Sequence, residues 1–241
     1  MMLTGRFGSV KLESMNVERI DELEHRVRAH AALADITRLR IVDRLCVSDA
    51  AASELGVLLD VPSNLLAHHL NVLQDAGLVS RQKSEGDGRR TYVTLVPDAV
   101  PAAGRSGATL ARPRRVLFVC TANTARSHLA AALWRRASPV RAASAGTHPG
   151  ERIHDRAAAA ASRHGLEMPD VAPALLSHTR RAGDLVITVC DRAHEELHGE
   201  DWAHWSVPDP VTAGGARAFD RALDLLAGRV AALAPRFTPA A

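Results

Sequence analysis

Apolar residues recur every three or four positions along the first third of the chain. In "NVERIDELEHRVRAHAALAD", Ile20, Leu23, Val27 and Ala31 share one helical face, predicting a helix over about 16–33. "ITRLRIVDRL" continues that period with Ile36, Leu39 and Val42. Further on, Pro62 suits the first turn of a helix, and Leu66, Leu70 and Leu73 line its inner face. Gly77 closes it. The period then changes from helical to alternating in "SRQKSEGDGRRTYVTL", on both sides of Gly86-Asp87-Gly88, a hairpin pattern. The order is helix, turn, helix, hairpin, an α+β arrangement.

A second pattern begins at "RRVLFVC", a basic pair followed by a continuous apolar run, as in a parallel strand buried on both faces. "ARSHLAAALWRRA" reads as the helix after it. Strands are predicted at 140–144, 184–189 and 204–207, with helices at about 151–164, 191–198 and 215–233. Strands alternating with helices predict an α/β doubly wound domain. Between the two patterns, residues 97–113 are rich in Pro, Gly and Ala without periodicity and are expected to be a linker. The expected domains are 16–96 and 114–235.

Charge refines this division. The net charge is +3, but residues 1–110 hold 13 Lys+Arg against 14 Asp+Glu, while 111–241 hold 17 against 13. The basic excess therefore accompanies the second pattern, and charge alone makes no case for nucleic acid in the first. No apolar run approaches membrane-spanning length, and the start lacks the apolar core of a secretory signal. A cytoplasmic protein without a membrane partner is expected. Cys46, Cys120 and Cys190 are widely spaced and odd in number, which argues for thiols rather than a disulfide framework.

The densest chemistry lies in "VLFVCTANTARS", residues 116–127. A loop between strand and helix aims backbone N–H groups inward, where the helix dipole also favours an anion. Thr121, Ala122, Asn123, Thr124, Ala125 and Ser127 are the expected oxyanion-binding residues. Arg126 would fork two oxygens of a tetrahedral anion. The same field would make Cys120 a thiolate nucleophile, with Ser127 donating to it.

The stretch at about 16–96 resembles the winged helix-turn-helix of ArsR-type repressors, through "LADITRLRI" and "LLAHHLNVLQDAGLV". That resemblance implies a recognition helix in the DNA major groove. Ser63, Asn64 and His68 would then face bases, and Lys83, Arg89 and Arg90 on the wing would face phosphates. It also implies a homodimer on double-stranded operator DNA, with the first helix as the dimer element. The family's metalloid-binding thiol pair would fall at Ala51 and Ser53, and Cys46 lies too early to replace it; no metal site is expected.

The region at about 114–235 resembles the low-molecular-weight protein tyrosine phosphatases and the arsenate reductases of the same fold, through "CTANTARS", "SAGT", "DLVITVCD" and "VPDP". The resemblance implies a four-stranded parallel sheet, Cys120 as nucleophile, Arg126 as oxyanion clamp, Asn123 as keeper of the loop's shape and Asp209 as general acid. Ala122 stands where the phosphatases often have glycine. No tyrosine follows Asp209-Pro210 to stack a phosphotyrosine ring. Cys190 stands where thioredoxin-coupled arsenate reductases place a second cysteine, while the third position is Leu197. Cys190 opens a helix and is therefore expected to have a lowered pKa.

These residues point to a regulator that is also a thiol-dependent arsenate reductase. No cofactor is expected to be bound; the electrons would come from an external reductant, a small thiol with a redoxin or a thioredoxin. The alternatives are a phosphatase fused to a DNA-binding domain, and a regulator whose second domain senses an oxyanion without turning it over.

Overall fold

A computed structural model describes residues 7–96, 99–101, 109–169 and 171–237. The first unit opens with α1 (Phe7–Leu33) and α2 (Ile36–Leu45). Asp35 caps α2 by accepting the Arg38 N–H at 2.9 Å. A two-residue strand, β1 (Ala50–Ala51), leads into α3 (Ala52–Leu59), whose Glu54 accepts the Ala51 N–H at 2.8 Å. Pro62 is the N-cap of α4 (Ser63–Asp75), and Gly77, at φ +73°, turns the chain out of that helix. The hairpin follows as β2 (Val79–Lys83) and β3 (Thr91–Leu95), in the antiparallel order β1-β3-β2.

Ile41, Leu45, Leu55, Leu66, Leu70 and Leu73 form the centre of this unit's core. The helix α1 contributes Ala29, Ala32 and Leu33 to it, whereas Ile20, Leu23 and Val27 are more than half exposed. The apolar face read from the sequence is therefore not the face that α1 buries within its own unit.

The second unit contains β4 (Arg115–Cys120), α5 (Arg126–Ala137), β5 (Arg141–Gly146), α6 (Asp155–Arg163) and the short α7 (Leu176–Thr179). Then come β6 (Asp184–Thr188), α8 (Asp191–Leu197), β7 (Ala203–His204), a single turn α9 (Pro210–Ala213) and α10 (Ala216–Leu233). The four strands are parallel in the order β5-β4-β6-β7. Residues Val116–Cys120 of the inner strand β4 are all buried, which explains the unbroken apolar run. Phe118 packs its ring against Trp134 and Trp205 at 5.8 and 5.6 Å. The expected strand at 204–207 is shorter than its apolar pattern: Ala203 and His204 pair with β6, after which Trp205 donates its N–H to Thr188 O and the chain leaves the sheet. Part of the expected linker is also built into the fold, since Leu110 bridges to Phe237.

The two units meet along β7. Asp49 N–H donates to His204 O at 2.7 Å, His204 N–H donates to Ser48 Oγ at 2.9 Å, and Trp205 Nε1–H donates to Val47 O at 3.0 Å. The buried Asp49 carboxylate accepts from Ser206 N–H and pairs with Arg229. Among the described residues no helix is long and apolar enough to cross a membrane.

Candidate active site

The turn from β4 to α5 is shaped by what it hydrogen-bonds outward. The carbonyls of Cys120, Thr121, Ala122 and Thr124 accept N–H groups from Thr147, His148, Gly150 and His154 respectively. The segment after β5 thus occupies the loop's outer edge. The close approach requires glycine: a Cβ on Gly146 would lie 2.6 Å from Thr121 O, and one on Gly150 would lie 2.8 Å from Thr124 Cγ2. Here "SAGT" acquires a physical role, as the backbone rail against which the loop is built.

Inside the loop, Asn123 adopts φ +52°, a left-handed conformation that asparagine tolerates better than most residues. Its amide group ties three pieces together. Nδ2 donates to Ser127 Oγ at 2.8 Å, Oδ1 accepts from Ala174 N–H at 2.8 Å, and its backbone N–H points to Cys120 Sγ at 3.2 Å. Ser127 Oγ lies 3.1 Å from Cys120 Sγ. Cys120, Asn123, Arg126 and Ser127 are all buried.

Arg126 donates from Nη1 to Val207 O at 2.8 Å and to Glu85 Oε2 at 2.8 Å, and its Nη2 lies 3.4 Å from Asp209 Oδ1. Burial works against its charge, but Cys190, Asp209, Cys120 and Glu85 outweigh that and push its pKa up. Asp209 caps α9, accepting from Val211 N–H and Thr212 Oγ1–H. Cys120, Arg126, Asp209 and Cys190 line one cavity of about 530 Å³, whose wall, among the described residues, holds no aromatic side chain.

Cys190 abuts the loop from β6. Thr121 N–H donates to its Sγ at 3.2 Å, and Thr121 Oγ1 lies 3.4 Å away. Its expected pKa depression is overturned. Burial pushes the thiol up to about 11, against the pull of Arg126, and the neighbouring Cys120 adds to the rise. Although α8 begins at the next residue, complete burial outweighs the N-terminus of so short a helix.

Ser63, Asn64 and His68 stand exposed along α4, and Lys83 and Arg89 are exposed on the hairpin. Arg90 is exposed too, and both wing arginines already pair with a carboxylate, Arg89 with Asp87 at 3.1 Å and Arg90 with Glu54 at 3.3 Å. Three groups had no sequence signal. Glu85 belongs to the hairpin loop yet sits in the anion cavity. Glu195 of α8 receives Ser84 Oγ–H, Asp87 N–H and Tyr92 Oη–H at 2.6, 2.8 and 3.2 Å. His194 bridges Asp201 at 2.7 Å and Glu54 at 3.4 Å. Each pairing crosses from one unit to the other or depends on a distant loop, which periodicity cannot reveal.

His194, Asp201 and His204 bring potential metal-ligating atoms within 4.8 Å of one another. The two imidazoles stack at 4.2 Å, only 9° from parallel, so their in-plane lone pairs run side by side rather than converge. All four ring nitrogens have partners: Asp201 and Glu54 for His194, Thr188 and Asp191 for His204. The cluster fits a hydrogen-bonded relay better than a metal site.

Comparisons with known proteins follow the same division. A family model described as low molecular weight phosphotyrosine protein phosphatase matches residues 115–239, and one described as bacterial regulatory protein, arsR family, matches 35–81. A curated protein of Halobacterium salinarum named as an arsenical resistance operon repressor ArsR is 36% identical over 83 residues. Those residues are 34% of this chain and 64% of that protein, so the chain spans slightly less than two thirds of the relative. Among solved structures, an arsenate reductase from Archaeoglobus fulgidus is 26% identical, with a TM-score of 0.43, over 50% of this chain and 98% of its own. An arginine phosphatase, YwlE, from Geobacillus stearothermophilus is 23% identical with a TM-score of 0.46, over 51% and 92% of the two chains. The tyrosine phosphatase Wzb from Escherichia coli is 23% identical with a TM-score of 0.46, over 51% and 97%.

Proposed function

Because this chain belongs to the low molecular weight phosphotyrosine protein phosphatase family through its second half and carries an arsR-family helix-turn-helix in its first, we propose that it is a DNA-binding regulator that also reduces arsenate with thiols. The carrying observation is the second thiol. Cys190 Sγ accepts from the amide next to Cys120, and both cysteines line one cavity. A phosphoryl-transfer site needs one nucleophile. A reduction by thiols needs two sulfurs, because each disulfide formed supplies two electrons.

In the proposed reaction Cys120 attacks arsenate and an As–O oxygen departs as water, giving a Cys120–arsenate thioester. Asn123 N–H and Ser127 Oγ are placed to stabilise the attacking sulfur, and Arg126 to hold the oxyanion. Asp209, at the cavity mouth, is the group available to protonate the leaving oxygen. A second thiol then attacks Cys120 sulfur, a disulfide forms, and arsenic leaves as arsenite carrying the electron pair of the broken S–As bond. Per cycle, two thiols and one arsenate become one disulfide, one arsenite and one water. Cys190 and an external small thiol both meet the requirement for that second sulfur. With Leu197 rather than cysteine on α8, a small thiol with its redoxin completes the cycle.

The absence of aromatic side chains from the cavity wall favours a small inorganic oxyanion over a phosphotyrosine ring. Asp209 is the observation favouring the phosphatase alternative, since it would serve an alcohol leaving group equally well. On the first half, exposed Ser63, Asn64 and His68 support base contact, and exposed Lys83 and Arg89 support phosphate contact. The uncovered Ile20, Leu23 and Val27 of α1 support a homodimer. The deciding assay is arsenite formation from arsenate with several thiol donors, beside hydrolysis of an aryl phosphate. Arsenate turnover is expected; aryl phosphate hydrolysis with no arsenite produced would select the phosphatase.

A further inference from the structure

The hairpin of the first unit reaches into the anion cavity of the second. Its loop is fixed at several points. Glu85 N–H donates to Asp191 Oδ2 at 2.9 Å, and Ser84 and Asp87 both bond Glu195. Gln82 Nε2–H donates to Ser206 O at 2.8 Å. At the tip, the Glu85 carboxylate takes Arg126 with one oxygen and the Asp209 N–H with the other. Gly86 permits the contact: a Cβ there would lie 2.2 Å from Glu195 Oε2 and 3.1 Å from Arg192 Cα.

A carboxylate paired with Arg126 at the mouth of an anion loop has the charge and planar oxygens of an oxyanion ligand. We infer that Glu85 is an internal plug for the oxyanion site, and that an arriving oxyanion and the docked hairpin compete for Arg126. This rests on the loop taking an oxyanion and not on the reaction that follows. Two negative groups, Glu85 and Asp209, face the mouth, so a dianion meets repulsion there as well as an occupied clamp. Withdrawal of the hairpin removes one of those charges and frees one Nη1 proton of Arg126.

The consequence is a coupling between the two halves. An oxyanion that binds the undocked state more tightly shifts the population toward it, and linkage makes the effect mutual. In the docked state Ser84, Glu85 and Asp87 are held by α8 and Arg126, while Lys83 and Arg89 on the same hairpin stay exposed. Oxyanion binding therefore changes how the wing that carries those cations is held. The oxyanion domain thus acts as an effector domain for the DNA-binding one, through a single carboxylate.

The test uses the full chain with inorganic phosphate as a non-reducible probe, titrated calorimetrically against wild type, Glu85→Gln, Glu85→Ala and Glu195→Ala. Glu195 lines no part of the anion cavity but anchors the hairpin from the other side. All three variants are expected to bind phosphate about tenfold more tightly, by removing the cost of undocking. In wild type, saturating phosphate should also speed amide exchange over residues 84–90. Equal phosphate affinity in all four proteins, or no change in exchange, would overturn the plug. Tightening confined to the Glu85 variants would reveal a local charge effect and overturn the coupling. Tighter phosphate binding in the variants without arsenate reduction would leave the plug standing and remove the reductase reading instead.

Discussion

Two cysteines stand at the same end of one parallel sheet, and the turns that follow them differ in length. Cys120 ends β4 and is followed by five residues before α5 begins; Cys190 follows β6 and is itself the N-cap of α8. Both strands are apolar and both cysteines are buried. Each sulfur has one amide and one hydroxyl close by: Asn123 N–H and Ser127 Oγ for Cys120, Thr121 N–H and Thr121 Oγ1 for Cys190. The five-residue loop adds the wall of an anion cavity and sets Arg126 at the start of α5; Cys190 opens its helix directly, and burial raises its pKa to about 11. An apolar run ending in cysteine is thus ambiguous, and the length of the turn after it decides whether an anion-binding loop can form there.

The largest contrast should come from exchanging each sulfur for oxygen. Cys120→Ser is expected to leave the fold intact and to lower turnover of both arsenate and an aryl phosphate by at least about 10³-fold. Steady-state rates with circular dichroism check this; a variant that stays active would place the nucleophile elsewhere. The loop's outer rail comes next. Gly146→Ala puts a methyl group 2.6 Å from the Thr121 carbonyl, so the loop must shift. Chemical denaturation should show a loss of about 1–3 kcal/mol, together with weaker phosphate binding.

Cys190→Ser should slow multiple turnover by about tenfold without abolishing it when a small thiol is supplied. The pH dependence separates the routes. With its pKa raised to about 11, Cys190 is a protonated thiol at neutral pH. Any rate limited by its attack should climb about tenfold per pH unit between 7 and 9. A flat profile in a single-turnover disulfide assay would assign the attack to the external thiol alone.

The smallest effect concerns α8, the helix that Cys190 opens. Burial pulls His194 down, but Asp201 and Glu54, hydrogen-bonded to its two nitrogens, carry it up to about 9. A folded pKa above the unfolded value of about 6.5 gives stability that is complete below pH 6.5 and is lost as pH rises through 9. Since Glu54 belongs to the first unit, that stability holds the units together. The melting temperature of wild type should fall by about 2–4 °C across this window more than that of His194→Gln. Parallel curves for the two proteins would remove His194 from the interface energetics.

Much of this architecture was legible in residue order. The alternation around Gly86-Asp87-Gly88 and the Leu66, Leu70, Leu73 face located the hairpin and α4, because local periodicity reflects burial in a single layer. The β4 run and the loop after it were equally local. The turn of α9 and the strand β1 leave no pattern in the sequence, since a few residues carry no period. Glu85 was unreadable for another reason: in sequence it is an ordinary wing-tip acid, and only the packing of one unit on the other brings it to Arg126. The raised pKa of Cys190 is unreadable in sequence because depth of burial, not position at a helix end, sets it.

Asp49 bears on how such a chain could be divided. Its carboxylate is buried between units, paired with Arg229 of α10 and accepting from Ser206, while its amide serves His204. A recombinant fragment ending in the linker would uncover that carboxylate and leave Trp205 on the other fragment without its Val47 partner. Each unit therefore completes buried polar groups of the other. A protease site inserted at 102–108 and then cleaved should yield two peptides that still elute as one particle.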